Sequence, residues 1–213
     1  MTRPVDKAYS AIKQDIISCR YFPTQSLVES NLAAEIGVSR NTVKKALLML
    51  VKENLVTIEQ NKSAKVKAFT RKEVIDLYEV RIVLECFIVD RVVSVITDEW
   101  LNEAKKLLDE MKKVSNPESF KEYSLLNDEF HKYIYSACPN HSAVEIAKNL
   151  HSQIRRYSSR TVLYPGRNKQ SYEEHLALWK AMKKRDSVAA QEAMSIHLHN
   201  VITILKENYT LLL

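Results

Sequence analysis

Two glycines and five prolines in 213 residues leave this chain little material for hairpins and tight turns, because those residues supply φ > 0 and fixed-φ corners. Leu, Ala, Lys and Glu, which lose little on entering a helix, are plentiful instead. A mainly α protein is expected. Hydrophobic residues make up 46% of the chain, enough for packed cores in one large domain or two ordinary ones.

Periodicity divides the chain. Ala8, Ile12, Ile16 and Ile17 recur at helical spacing over 5–18, and Tyr21, Phe22 and Pro23 end that helix. A second helix is expected over 29–36, stopped by Gly37, and a third over 40–53 with Ser39 as its N-cap. Val43, Ala46, Leu47, Leu50 and Val51 form the buried stripe of the third helix, and Asn54 is placed to end it in a left-handed cap. Residues 55–58 read as extended, Asn61-Lys62-Ser63 as a turn, and 64–68 as an edge strand alternating small or apolar with basic residues. Helix, helix, turn, helix, hairpin is the order of a winged helix-turn-helix, assigned to 1–69. From 70 to 213 the pattern is helical, with helices expected at 71–96, 98–114, 117–137, 142–159, 171–184 and 187–209, an all-α bundle. Pro139-Asn140 and the stretch 164–168 are the clearest breaks, the second reading as a mobile loop.

Charge follows the same division. Through Thr70 there are 11 Lys/Arg against 6 Asp/Glu, an excess of +5, while the remainder carries only +1. That asymmetry is expected when one domain meets a polyanion and the other does not. Cys19, Cys86 and Cys138 stand in no metal-like or disulfide-like spacing, which fits a reducing cytoplasm. No apolar run reaches the ~20 residues of a membrane span, and the start lacks the apolar core of a signal peptide.

In a helix-turn-helix the second helix enters the major groove with its N-terminal residues on base edges. Ser39, Arg40, Asn41, Thr42 and Lys44 are suitable types at that end. Arg40 can bond a guanine edge with two contacts, Asn41 can read adenine, and Ser39 and Thr42 can hold phosphate. Gln60, Lys62, Lys65 and Lys67 can follow the backbone or a minor groove from the hairpin. Taken singly, these residues also suit a capped surface helix with solvated charges.

The run Leu32-Ala33-Ala34-Glu35-Ile36-Gly37-Val38-Ser39-Arg40-Asn41-Thr42-Val43-Lys44-Lys45-Ala46-Leu47, with Leu50, Glu53-Asn54-Leu55 and the hairpin 61–66, resembles the DNA-binding domain of the GntR family. The resemblance implies operator binding by a regulator that is most often a repressor. Five positions depart from the family pattern: Lys44-Lys45 replaces Arg-Glu, Thr42 replaces Pro, and Asn54 and Ser63 each replace Gly. Lys lacks the planar fork of Arg, so Lys44 suits phosphate rather than bidentate base contact.

Asn127 and His131 lie four apart and share a helix face, directed inward if Leu126, Phe130 and Ile134 mark the buried side. His175 and His197 lie on two later helices beside apolar neighbours. One amide oxygen and three imidazoles suit zinc, nickel or a similar divalent ion, although on spacing alone an inward histidine is more often a hydrogen-bonded core residue than a ligand. The segments 127–131, 174–178 and 193–197, with Tyr78-Glu79-Val80-Arg81 and Leu84-Glu85, resemble the FadR C-terminal (FCD) ligand-binding domain. That resemblance implies an Asp or Asn and three His around a cation that helps bind a small organic acid. Asp128 falls one residue off the face of Asn127, so the set lacks an anionic ligand. Arg81 is implied to meet an effector carboxylate, against the alternative of an i, i+4 ion pair with Glu85. His141, His151 and His199 read as structural or surface residues.

A metal-dependent hydrolytic enzyme is the main rival, since an open metal position can activate water. No Ser-His-Asp set, phosphate-binding glycine loop or carboxylate base accompanies it, and the basic half would go unexplained. A helical adaptor that binds no DNA is the third reading. The reading adopted is a non-enzymatic, dimeric, cytoplasmic regulator in which an acid effector biases the bundle between two arrangements.

Overall fold

In the computed structural model, residues 3–60 and 62–209 are described, and they fall into two compact units divided between Thr70 and Arg71. Asn61, expected to open the hairpin turn, lies outside the described residues.

The N-terminal unit runs α1 (Pro4–Ile17), β1 (Ser26–Leu27), α2 (Glu29–Ile36), α3 (Arg40–Lys52), β2 (Val56–Thr57) and β3 (Ala64–Val66). Proline at the first position of α1 costs no hydrogen bond, since that amide has no partner inside a helix. Its Ala8, Ile12 and Ile16 pack with Val43, Ala46, Leu47 and Leu50 of α3, and Leu27, Leu55, Val56 and Val66 close the same core. Burying a leucine such as Leu50 contributes roughly 1.5–3 kcal/mol. The strand at 64–66 corrects one expectation: it lies in the centre of an antiparallel sheet of order β1-β3-β2, not at an edge. Ser26 pairs with Lys65 on one side, and Thr57 pairs with Lys65 on the other. The neighbour that covers it, β1, is only two residues long.

Between α2 and α3 the chain reverses at Gly37, where φ is +73° and the amide bonds Ala33 O at 3.0 Å. Ser39 Oγ then accepts the Thr42 N–H at 3.1 Å, starting α3. A Cβ on Gly37 would meet nothing within 4 Å, so the cost of Gly37→Ala is purely the left-handed backbone, about 1 kcal/mol. Urea denaturation should show that loss, and Gly37→Asn should recover part of it because Asn tolerates this conformation. Equal stability of all three would refute this account of the turn.

The C-terminal unit contains α4 (Arg71–Val93), α5 (Asp98–Lys113), a 3-10 turn (Pro117–Ser119), α6 (Phe120–Ala137), α7 (His141–Thr161), α8 (Arg167–Lys183) and α9 (Ser187–Asn208). Helices α4 and α9 pack antiparallel. Arg71 near the start of α4 bonds Lys206 O near the end of α9, while Asp90 near the end of α4 accepts from Ser187 at the start of α9. Helix α8 packs against α9 and α5, and α7 against α4.

One boundary differs in a way that bears on function. Residues 167 and 168, expected within a mobile loop, form the first turn of α8, and both are buried. Gly166, at φ +79°, turns the chain into that helix. Asn168 Nδ2 bonds Asn116 O at 3.0 Å, and Arg167 forks onto Glu174. These polar side chains look like loop residues until their partners are known. No described helix is long and apolar enough to cross a membrane.

Candidate functional site

In the N-terminal unit, α3 presents Arg40, Asn41, Lys44 and Lys45 to solvent while its opposite face is core. Arg40 has 72% of its side chain exposed and only a loose contact, 3.9 Å, with Glu29. Arg40, Lys44, Gln60 and Lys62 line one groove between α3 and the hairpin. Lys65, on the central strand, is half-buried. Ser39 Oγ and Thr42 Oγ1 are 2.8 Å apart, so both hydroxyls serve the helix cap first. Lys67 is anchored within the fold, bonding Asn54 Oδ1 at 2.9 Å and lying over the Phe69 ring.

In the C-terminal unit, three helices deliver three histidines to one point. His131 on α6, His175 on α8 and His197 on α9 are all buried, and one ring nitrogen from each lies within 4.8 Å of the others. His131 Nε2 and His175 Nε2 are 3.3 Å apart. A tetrahedral ion with bonds of ~2.0–2.1 Å to nitrogen has edges of roughly 3.3 Å, so this spacing suits two ligands of one metal.

Each imidazole also has a partner on its far side. Glu174 Oε2 accepts from His197 Nδ1 at 2.7 Å, and Ser171 Oγ stands 3.4 Å from His175 Nδ1. His131 Nδ1 faces Glu85 Oε2 at 3.5 Å without an aligned hydrogen bond, and both atoms are otherwise unpartnered. Outer partners of this kind fix the ring tautomer and aim the second nitrogen inward. Burial, reinforced by the neighbouring imidazoles around His175 and by Arg167 beside His197, holds both rings well below the usual imidazole range. They are neutral, as metal ligands must be.

The carboxylates are held as firmly. Glu174 takes both Arg167 nitrogens, at 2.9 and 2.8 Å, and Asn200 Nδ2 at 2.7 Å. Glu85 Oε1 accepts from Arg81 Nε and from Tyr135 Oη, each at 2.6 Å. Burial opposes its ionisation, but Arg81 and His131 outweigh that and hold it well below the carboxylate range. Asp128 is buried against His151, 3.4 Å away, and Arg155. Despite the desolvation, those two bring its pKa down to about 2.

A cavity of about 30 Å³ adjoins the histidines, lined among others by Arg81, Asn127, Asp128, His131, His151, Arg167 and His197. It therefore gathers Arg81 with three of the four expected metal residues, while His175 reaches the group through His131 and His197. His141 and His199 are exposed. Glu85, Glu174, Arg167, Ser171 and the Asp128–His151–Arg155 set were not assigned site roles from sequence. Spacing did carry a signal for three of them, since Arg167 and Glu174 are seven apart and Ser171 and His175 four apart on one helix.

Comparison with known proteins bears on both units. The model of the gntR family of bacterial regulatory proteins matches residues 4–66, and that of the FCD domain matches 76–200. The HTH-type transcriptional repressor GlaR of Escherichia coli K12 is 27% identical over 207 residues, covering 93% of this chain and 94% of that protein. The gluconate operon transcriptional repressor of Bacillus subtilis is 32% identical over 123 residues, 58% of this chain and 50% of its own. Among solved structures, E. coli McbR/YncC superposes with a TM-score of 0.83 at 21% identity, covering 98% of this chain and all of that one. These relatives are regulators, not enzymes. The chain belongs to the GntR family of DNA-binding transcription regulators, with an FCD domain as its ligand-binding half.

Proposed function

We propose that this protein is a homodimeric, cytoplasmic repressor whose N-terminal unit reads a two-fold symmetric operator and whose C-terminal unit binds a small organic acid on a divalent ion such as zinc or nickel. The observation that carries the sensing half is the convergence of three buried imidazoles, each with a polar group facing its Nδ1. His131, His175 and His197 hold the ion, with Asn127 as an amide ligand; the ion supplies a positive point for a carboxylate. Arg81 lines the same cavity and adds a guanidinium near the acid, once Glu85 shares it.

A space of about 30 Å³ takes an ion or roughly one water. An acid of several heavy atoms therefore enters only as the walls part. Ser158, Thr161, Val162 and Arg167, around the α7–α8 junction, make up one side of those walls, and their displacement is the local event that an effector would impose. For that event to shift DNA affinity, the acid must bind one arrangement better than the other.

On the DNA side, Arg40 and Asn41 contact base edges, Lys44, Lys62, Lys65 and Gln60 track the backbone, and the capped helix end at Ser39 and Thr42 grips phosphate. Selection of bound duplexes from a random library at about 0.15 M salt should enrich a symmetric sequence, since non-specific phosphate attraction is weakened there. Arg40→Ala should then weaken operator binding about 5- to 150-fold, equivalent to ~1–3 kcal/mol, while leaving the fold intact. No enriched sequence, or unchanged operator affinity in the variant, would overturn this assignment.

A further inference from the structure

The walls around the three imidazoles balance their own charge. Arg81 is paired with Glu85, Arg155 with Asp128 and Arg167 with Glu174. Asn127 is a neutral amide, and imidazoles bind a metal as neutral ligands. A divalent ion placed among these groups would bring two positive charges with no anion among its ligands, and burying uncompensated charge is costly. A carboxylate entering alone fares no better. Among the described residues lining the cavity, both guanidinium groups, Arg81 and Arg167, are already committed to a glutamate.

From this balance we infer that Asn127 makes metal and acid obligate partners: neither is held tightly alone, and the effector's carboxylate is the anionic ligand that Asn127 does not provide. This rests on the metal-and-acid reading given above. Asp128 does not fill the gap, because Arg155 and His151 hold its carboxylate. The coupling is reciprocal, so an acid that tightens the metal is tightened by it to the same degree. The regulator then reports the acid only when the metal is available, which makes it a two-input device.

Isothermal titration of Ni²⁺ into the full chain tests this, with and without acetate, lactate or succinate as weakly chelating probes. In the wild type, at least one acid should tighten Ni²⁺ by about fivefold or more. Asn127→Asp is nearly isosteric and supplies the missing charge. It should bind Ni²⁺ about tenfold more tightly than the wild type without acid, and should gain less than about twofold from any acid as the coupling is lost. His175→Ala with His197→Ala should bind none under either condition. If no acid tightens Ni²⁺ in the wild type, or if Asn127→Asp binds no better, the coupling is overturned while the metal centre stands. If the double histidine variant binds Ni²⁺ as the wild type does, or if neither wild type nor Asn127→Asp binds it, the metal reading itself fails.

Discussion

Replacing Arg167 with alanine should cost the C-terminal unit about 3–5 kcal/mol, the penalty for leaving a buried charge without its partner. Only 1% of the Arg167 side chain is exposed, and 8% of Glu174. Among the described residues, the two parallel nitrogen–oxygen contacts from Arg167 supply the guanidinium charge at that carboxylate, whose further partners include the Asn200 amide and the His197 ring. Both tryptophans, Trp100 and Trp179, lie in this unit, so their fluorescence during urea denaturation reports on it alone. Adding Glu174→Gln to Arg167→Ala should recover part of the loss, because the amide oxygen still accepts while the stranded charge is gone. Arg167→Lys should recover less than the double variant, since an ammonium cannot span both oxygens. A cost below about 1 kcal/mol for Arg167→Ala would mean that Glu174 is hydrated rather than buried as a charge.

The same residue explains what could be read from the chain and what could not. The helix-turn-helix was legible because each boundary has a local cause: Gly37 in the left-handed region, Ser39 capping α3, and Asn54 at φ +61° after it. The sheet was less so. A two-residue strand such as Ser26–Leu27 has no periodicity to detect, and without it Ala64–Val66 looks like an edge. In the helical half, spacing put Asn127 with His131 on one face but carried no distance between helices, so the meeting of His131, His175 and His197 needed the fold. Taking residues 164–168 as loop removed Arg167 from α8. With it went the i, i+7 relation to Glu174 that marks the outer support of His197.

Removing two of the three imidazoles, His175→Ala with His197→Ala, should abolish stabilisation by metal. A ligand that binds only the folded state adds RT ln(1 + [L]/Kd), about 2.7 kcal/mol at a hundredfold excess over Kd. For a helical unit of this size, at about 2–4 °C per kcal/mol, that is a shift of roughly 5–11 °C in its unfolding midpoint. The wild type should show the shift on adding Ni²⁺ with an effective acid, and the double variant none. The exposed pair provides the control: His141→Ala with His199→Ala removes as many imidazoles from the surface and should leave the shift unchanged. Glu174→Gln should fall between them, since loss of an outer partner typically weakens a metal site 10- to 100-fold, about 1.4–2.7 kcal/mol, without removing a ligand. A graded response in that order would tie the stabilisation to imidazoles aimed by their outer partners. A full shift in the His175/His197 variant would place the metal elsewhere, and an unchanged shift in Glu174→Gln would leave Glu174 a partner of Arg167 and Asn200 with no part in the metal site.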